Sequence, residues 1–515
     1  MRLNRILLFL ALSSAPLYAT DQQQLQDEIQ QLKQQTQTLQ AQLKQLQKKI
    51  SENTVKSVAT KPSIKKAKGG SGGYHESVVS VHSFDGHPES LNFYPTALLV
   101  DEHVVTYIAG TPVVSSPYLG ERPAFDGSDY IVNISSINRD IRLMQQRRRL
   151  YRAYQRMGYP VPYMPIISLS GAVQPVAILN FEQHRETADL TLGTSELDVA
   201  AALNENVEAF MAITYDQSPP AVGGPRVNNS VFNLNMGFIN IGNLDKTPYY
   251  FTAGQLFVPF GRYSSAMASS PLTLLLARTK SRPFILGYKS QTDTGLFASV
   301  YGFRGETTLG KSGVGGVNAG YTFSHGDVAG EVGGGYINSI NDSAGMQNTA
   351  VTPFTTFGGF GSVTNGSEAV RKIPGANVHG NISIDRYNFT AEWVGAAKRF
   401  RPQDLSFNGR GAKPQAAQFE AGMTFKVFDK PASIGIGYQL TRQALALNLP
   451  ERRISGVFNI SLWKDTIETL EYRHDINYKK TEFANGAAPA GTANLPVVGR
   501  GGSEDAILAQ IGVYF

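Results

Sequence analysis

The chain has 515 residues, with 47 Lys+Arg against 41 Asp+Glu and a pI near 9.1. That length exceeds one ordinary domain unless a large barrel takes most of it. The lack of any cysteine excludes disulfides, thiol nucleophiles and zinc–cysteine sites, and the small basic excess leans toward acidic partners or anionic lipid headgroups.

Met1 to Ala19 places Arg2 and Arg5 before a short apolar core, Ile6 to Leu12, and then small residues. This predicts a secretory signal peptide, 1–19, cleaved after Ala19. No other stretch is an uninterrupted apolar run of about 18 residues, so a transmembrane helix is not expected. If the mature chain enters a membrane, it must do so as a closed barrel.

Residues 20–50 contain neither Gly nor Pro, and Leu25, Ile29, Leu32, Thr36, Leu39, Leu43, Leu46 and Ile50 follow a heptad spacing. The seam predicts a self-associating coiled coil, a homotrimer or a dimer, with a lone surface helix as the plain alternative. Residues 51–73 hold Lys56, Lys61, Lys65, Lys66 and Lys68 and end in Gly-Gly-Ser-Gly-Gly, a flexible linker.

Residues 74–165 read as a small periplasmic segment. His82 and His87, spaced with Asp85 and Glu89, are weak metal candidates, because a polar loop accounts for them equally well. Ile137 to Met157 predicts a helix capped by Ser136 or Asn138, with Asp140 in its first turn. Arg142, Arg147, Arg148, Arg149, Arg152 and Arg156 make it a basic helix: a solvated face, an anion platform or a lipid contact.

From residue 166 the texture changes to short alternating runs. Sixteen strand candidates follow: 166–174, 195–203, 206–215, 231–241, 248–259, 283–290, 294–304, 313–324, 327–338, 376–386, 388–399, 416–427, 432–443, 454–464, 467–479 and 504–515. Links after even-numbered strands are short and links after odd-numbered ones long, beginning with a loop over 175–194. Such segregation predicts an all-β transmembrane barrel of sixteen antiparallel strands at 166–515, in the outer membrane, with both chain ends on the periplasmic side. The last strand carries Ile507, Ala509, Ile511, Val513 and Phe515 on one face, as outer-membrane barrels do at their C-terminus.

Charged positions of the strands must face a watery lumen, since a charge on the lipid side costs a few kcal/mol. Glu392, Lys398, Lys426, Glu471, Arg473, Asp475 and Lys479 are assigned there, with Leu470, Tyr472, Ile476 and Tyr478 facing lipid. The loop Gly261 to Arg282 is apolar at Pro271 to Leu276 and then basic at Arg278, Lys280 and Arg282. Exposure of that apolar run is unfavourable, so the loop is expected to fold inward and put its cations in a constriction; packing on a second protomer is the alternative. No Gly-x-Ser-x-Gly and no triad-like grouping points to an enzyme.

Thr111-Pro112-Val113, Ser116 to Gly120, Phe125 to Asp129 and Ile131 to Asn138 carry a resemblance. With the signal peptide, coil and barrel pattern, they resemble the LbtU-type siderophore porins and related iron-uptake outer-membrane proteins. The likeness spans most of the mature chain and is densest over 111–160. It implies uptake of a ferric carboxylate-type siderophore, with no cofactor of the protein's own and no ligand residues to carry over. The expectation is a barrel without a separate plug domain, because a heptad coil cannot fill a lumen; whether the basic helix 137–157 sits in or under the bore, or in the periplasm, is left open. A general or anion-preferring trimeric porin with a structural role in the envelope is the competing reading.

Overall fold

In the computed structural model the described residues lie within one compact unit, Tyr74–Phe515. They comprise most of 166–515, without 183–184, 217–230, 306–312, 326–327, 348–369, 464–465, 485–497 and the single positions 293, 403 and 429. Upstream they are four short strands between 79 and 115 and parts of a helix between 139 and 147. The expected signal peptide, coiled coil, linker, His82, His87, Arg142, Arg148, Arg149, Arg152 and Arg156 lie outside them.

Sixteen wall strands close a barrel. They are β1 (Ile166–Val173 and Val176–Glu182), β2 (Arg185–Thr191 and Glu196–Ala202), β3 (Val207–Asp216), β4 (Val231–Gly242), β5 (Tyr249–Phe257), β6 (Lys280–Ser281 and Phe284–Lys289), β7 (Gly295–Arg304) and β8 (Gly313–His325). The second half is β9 (Val328–Ile337), β10 (Gly375–Ile384), β11 (Tyr387–Ala396), β12 (Gln415–Val427), β13 (Lys430–Arg442), β14 (Arg452–Ile460), β15 (Thr466–Ile476) and β16 (Ser503–Tyr514). Each pairs antiparallel with the next, and β16 closes on β1 through Asp505↔Phe181 to Tyr514↔Ala172. Closure leaves no free sheet edge around the ring, which is what lets strands dispense with water at their backbone.

Period two decides the two faces. Leu286, Val300, Val378, Phe419, Ile436, Leu470 and Ile511 are exposed on the outside, whereas the alternate Ser299, Asn381, Thr390, Ser433, Asn459 and Thr469 are buried inside. Aromatic pairs stand at both ends of the wall: Tyr249 edge-on to Tyr288 at 5.5 Å near the short turns, and Tyr215 to Phe232 at 5.7 Å near the long loops. An apolar band between two aromatic girdles is the pattern a bilayer imposes on a barrel.

Two local expectations are corrected. The loop expected over 175–194 is instead wall: β1 and β2 continue past a shared break, pairing Val176↔Thr191 to Glu182↔Arg185. Pro175 and Gly193, with φ of +55°, look like turn residues in sequence. The break is instead bridged by side chains, with Gln174 N–H donating to Ser195 Oγ and Gln174 Nε2 to the Tyr514 hydroxyl at 3.1 Å each. Tyr478 does not face outward, because β15 ends at Ile476 and the alternation stops there. Its ring is buried against Phe407 at 5.8 Å, and its hydroxyl meets Thr441 Oγ1 at 2.8 Å. Burial pushes that hydroxyl up to about 12.

At the seam β1 has two partners in series. Phe515 and Gly171 exchange both backbone hydrogen bonds, N–H of Gly171 to the Phe515 carbonyl at 2.5 Å and N–H of Phe515 to the Gly171 carbonyl at 2.9 Å. Below that point the strand Thr111–Ser115 lies parallel to β1, matching Val113, Val114 and Ser115 to Ile167, Ser168 and Leu169.

Candidate functional site: a bore narrowed from two sides

The connection from β5 to β6, residues 258–279, folds into the bore as its apolar run requires. Leu272 and Leu276 are fully buried, in a short helix, Leu272–Ala277, among residues of the main apolar cluster. What fixes the loop is its backbone. N–H groups of Arg262 and Tyr263 donate to the Glu392 carboxylate at 2.8 and 2.6 Å, and Ala266 N–H donates to Glu420 at 2.7 Å. Ser269 donates to Glu471 through its N–H at 2.8 Å and through its hydroxyl. Leu272 N–H reaches Gln439 Oε1 at 2.7 Å, and Gln418 Nε2 donates to the Ser264 carbonyl at 2.6 Å. Three inward carboxylates of β11, β12 and β15 therefore hold a loop that lacks regular secondary structure over 261–270. Charge-assisted acceptors are about twice as strong as neutral ones, so they suit a segment with no ladder of its own.

Glycines make the seat. A Cβ on Gly437 would stand 3.1 Å from Met267 Cε, and one on Gly435 would stand 3.4 Å from Ala266 Cβ. The loop approaches β13 that closely because two inward side chains are missing.

Ion pairs flank the loop. Arg262 Nε and His379 Nε2 each lie 3.5 Å from Glu331 Oε1 on β9. At the other end Arg453 forks onto Asp475 at 2.7 and 3.0 Å and donates to the Ser270 carbonyl at 3.1 Å. Arg473 shares Asp475 at 3.2 Å.

The facing wall, β2 to β5, carries a helix from the N-terminal segment. Arg139 is 1% exposed and pairs with Glu196 at 2.7 Å and Asp198 at 3.6 Å. Asp140 accepts from Thr252 Oγ1 at 3.0 Å, and its carbonyl accepts from Asn240 Nδ2 at 3.0 Å. Arg147 pairs with Glu208 at 3.1 Å and caps the short turns through the carbonyls of Glu205 and Gly242. Ile141, Leu143 and Met144 share one buried cluster with Phe210, Met236 and Phe238. Of the two places left open for this helix, the bore and the periplasm, its described residues thus lie on the inner wall, where Arg139 and Arg147 meet carboxylates.

Of the residues singled out in the sequence, Glu392 and Glu471 meet at the loop clamp, and Arg473 and Asp475 stand beside it. Arg278 stacks over Phe257 at 4.4 Å, Lys280 donates to Asn235 Oδ1 at 3.1 Å, and Arg282 donates to Gln255 Oε1 at 3.3 Å. These three follow one another where the loop rejoins the β5–β6 wall. Lys398, Lys426 and Lys479 are exposed and join neither group. Glu420 joins the clamp from the inward row that the alternation of β12 assigns to it; Gln439, Arg453, Glu196 and Glu208 are not among the expected residues, although inward alternation of polar residues is the signal they carry. Among the described residues no group of His, Asp and Glu could hold a metal.

No family model matches the chain. It is 66% identical to a UPF0422 protein of Legionella pneumophila subsp. pneumophila, over 100% of both chains. It is 37% identical to a UPF0422 protein of Coxiella burnetii, covering 78% of this chain and 83% of that one. Among solved structures it is similar to the outer membrane channel DcaP of Acinetobacter baumannii, with 11% identity, 68% of this chain, 97% of that chain and a TM-score of 0.43. A similar likeness holds for an anion-selective porin from Comamonas acidovorans, with 10% identity, 68% and 99% coverage and a TM-score of 0.42.

Proposed function

The chain belongs to the UPF0422 family, and we propose that it works as an outer-membrane channel with a constricted bore. The observation that carries this reading is the closed sixteen-strand wall, apolar outside and polar inside, with loop 258–279 clamped across its interior. A wall of that kind has a use only where lipid meets its outside. On this reading the short turns face the periplasm and the long loops the exterior, the arrangement usual in outer-membrane barrels.

The permeant we propose is a ferric carboxylate-type siderophore, on the likeness of 111–138 to LbtU-type porins. Arg278, Lys280 and Arg282 on the β5–β6 wall would raise the local concentration of such an anion. A general pore is the second reading, favoured by the pairing of Arg453 with Asp475, Arg262 with Glu331 and Arg139 with Glu196, which leaves little single-signed field. Single-channel recording in planar bilayers separates the two. Current block by a ferric polycarboxylate at micromolar concentration supports siderophore uptake. Ohmic current indifferent to it supports a general pore, and no current at all removes the channel reading.

A further inference from the structure

We propose that the described helical residues Arg139–Ile141, Leu143, Met144 and Arg147 belong to a releasable plug, whose ionic contacts with β2 and β3 set how much of the bore is open. The proposal rests on the channel reading above. Two observations carry it together. The first is position: Glu208 and Asn240, on β3 and β4, hold the helix, while Glu392 and Glu420, eight strands further round on β11 and β12, hold loop 258–279. The bore is thus occupied from opposite walls, and of these two obstructions only the helix lies outside the barrel sequence.

The second is the chemistry of attachment. Arg139 is bound to Glu196 and Asp198, Arg147 to Glu208, and Asp140 to Thr252. Buried ion pairs contribute little net stability, because the cost of removing both charges from water offsets their attraction. When the helix leaves, water rehydrates both partners, so release costs far less than extraction of an apolar plug of equal size. The contacts specify one seat without making it permanent. Arg147 adds a stop at the rim, gripping the Glu205 and Gly242 carbonyls of two adjacent short turns. The three apolar residues, Ile141, Leu143 and Met144, give the seated state the modest excess it needs to be the resting one.

The absence of native cysteine makes the test clean. Met144 is 2% exposed, so a Met144→Cys thiol reacts with a charged methanethiosulfonate reagent only when the helix leaves the wall. In full-length protein reconstituted in lipid, Arg139→Gln/Arg147→Gln should speed that labelling about tenfold or more. In planar bilayers the same pair should raise open probability or conductance, and Arg139→Lys/Arg147→Lys should restore much of the resting behaviour. The heat-modifiable shift on gels, present in each variant, certifies that the barrel has folded. Equal labelling in the wild-type and Gln backgrounds overturns the proposal, as does faster labelling with unchanged current. If neither protein passes current, the channel reading fails, and the labelling ratio alone still decides whether the helix is releasable.

Discussion

The carboxylate of Glu392 grips the backbone of Tyr263, 129 residues earlier in the chain, at 2.6 Å. It holds the neighbouring Arg262 N–H as well. Glu392→Ala leaves both N–H groups without their acceptor, at about 1–3 kcal/mol each where water cannot replace it. We expect a noisier open-channel current and a lower temperature for the heat-modifiable shift. A current trace as quiet as wild type would show that the clamp is redundant with Glu420 and Glu471.

Gly171 makes room for the last side chain. A Cβ there would stand 2.9 Å from Phe515 Cζ and 3.0 Å from the Glu196 carbonyl oxygen. Gly171→Val should therefore lower the yield of folded barrel, overpacking costing about 1–3 kcal/mol. Adding Phe515→Ala should recover part of that yield. If the double variant folds no better than Gly171→Val, the clash with Glu196 and not the ring is responsible.

Replacing Arg278, Lys280 and Arg282 together by Ala should shift permeability toward cations by roughly twofold or more, since lost wall charge lowers the local anion concentration. The reversal potential in a salt gradient reads this directly. An unchanged value would move anion preference to other residues.

Acid stability has one assignable contribution at the short turns. The Lys246 ammonium, by hydrogen bond and charge, holds the Glu205 carboxyl below its ordinary value. A carboxylate depressed in the folded state stabilises above the ordinary carboxylate range, and that contribution is lost as pH falls through the folded value. Both groups are exposed, so the effect is small. Lys246→Ala should flatten the pH dependence of unfolding between about pH 5 and 3, and an unaltered profile would assign that slope elsewhere.

All sixteen wall strands have a counterpart in the sequence, because a lipid-facing row and an inner row alternate along most of them and loop length tells one end from the other; the bulge between Leu234 and Met236 interrupts that alternation in β4. The β1–β2 hairpin is not legible there, since Gln174-Pro175 and Gly193 carry turn chemistry that the fold spends on a break within two long strands. Glu392 and Glu471 are legible as inward carboxylates. Their partners are not, because a backbone N–H has no sequence signature. The helical residues at 139–147 are readable from their apolar spacing, but their address is not; the expected cap, Ser136 or Asn138, lies outside the described residues. Arg139 and Arg147 find their counter-charges on β2 and β3, and nothing local announces that.

The seam has a consequence for assembly. A tail strand and a head strand claim adjoining footholds on one edge of β1, and only Phe515 marks where one claim ends. A chain shortened at its tail would offer the head strand vacant backbone, and a slide of two residues would preserve its pleat. Truncation would then produce a mis-zipped cylinder instead of one with a simple gap, and the damage would outweigh the few contacts removed.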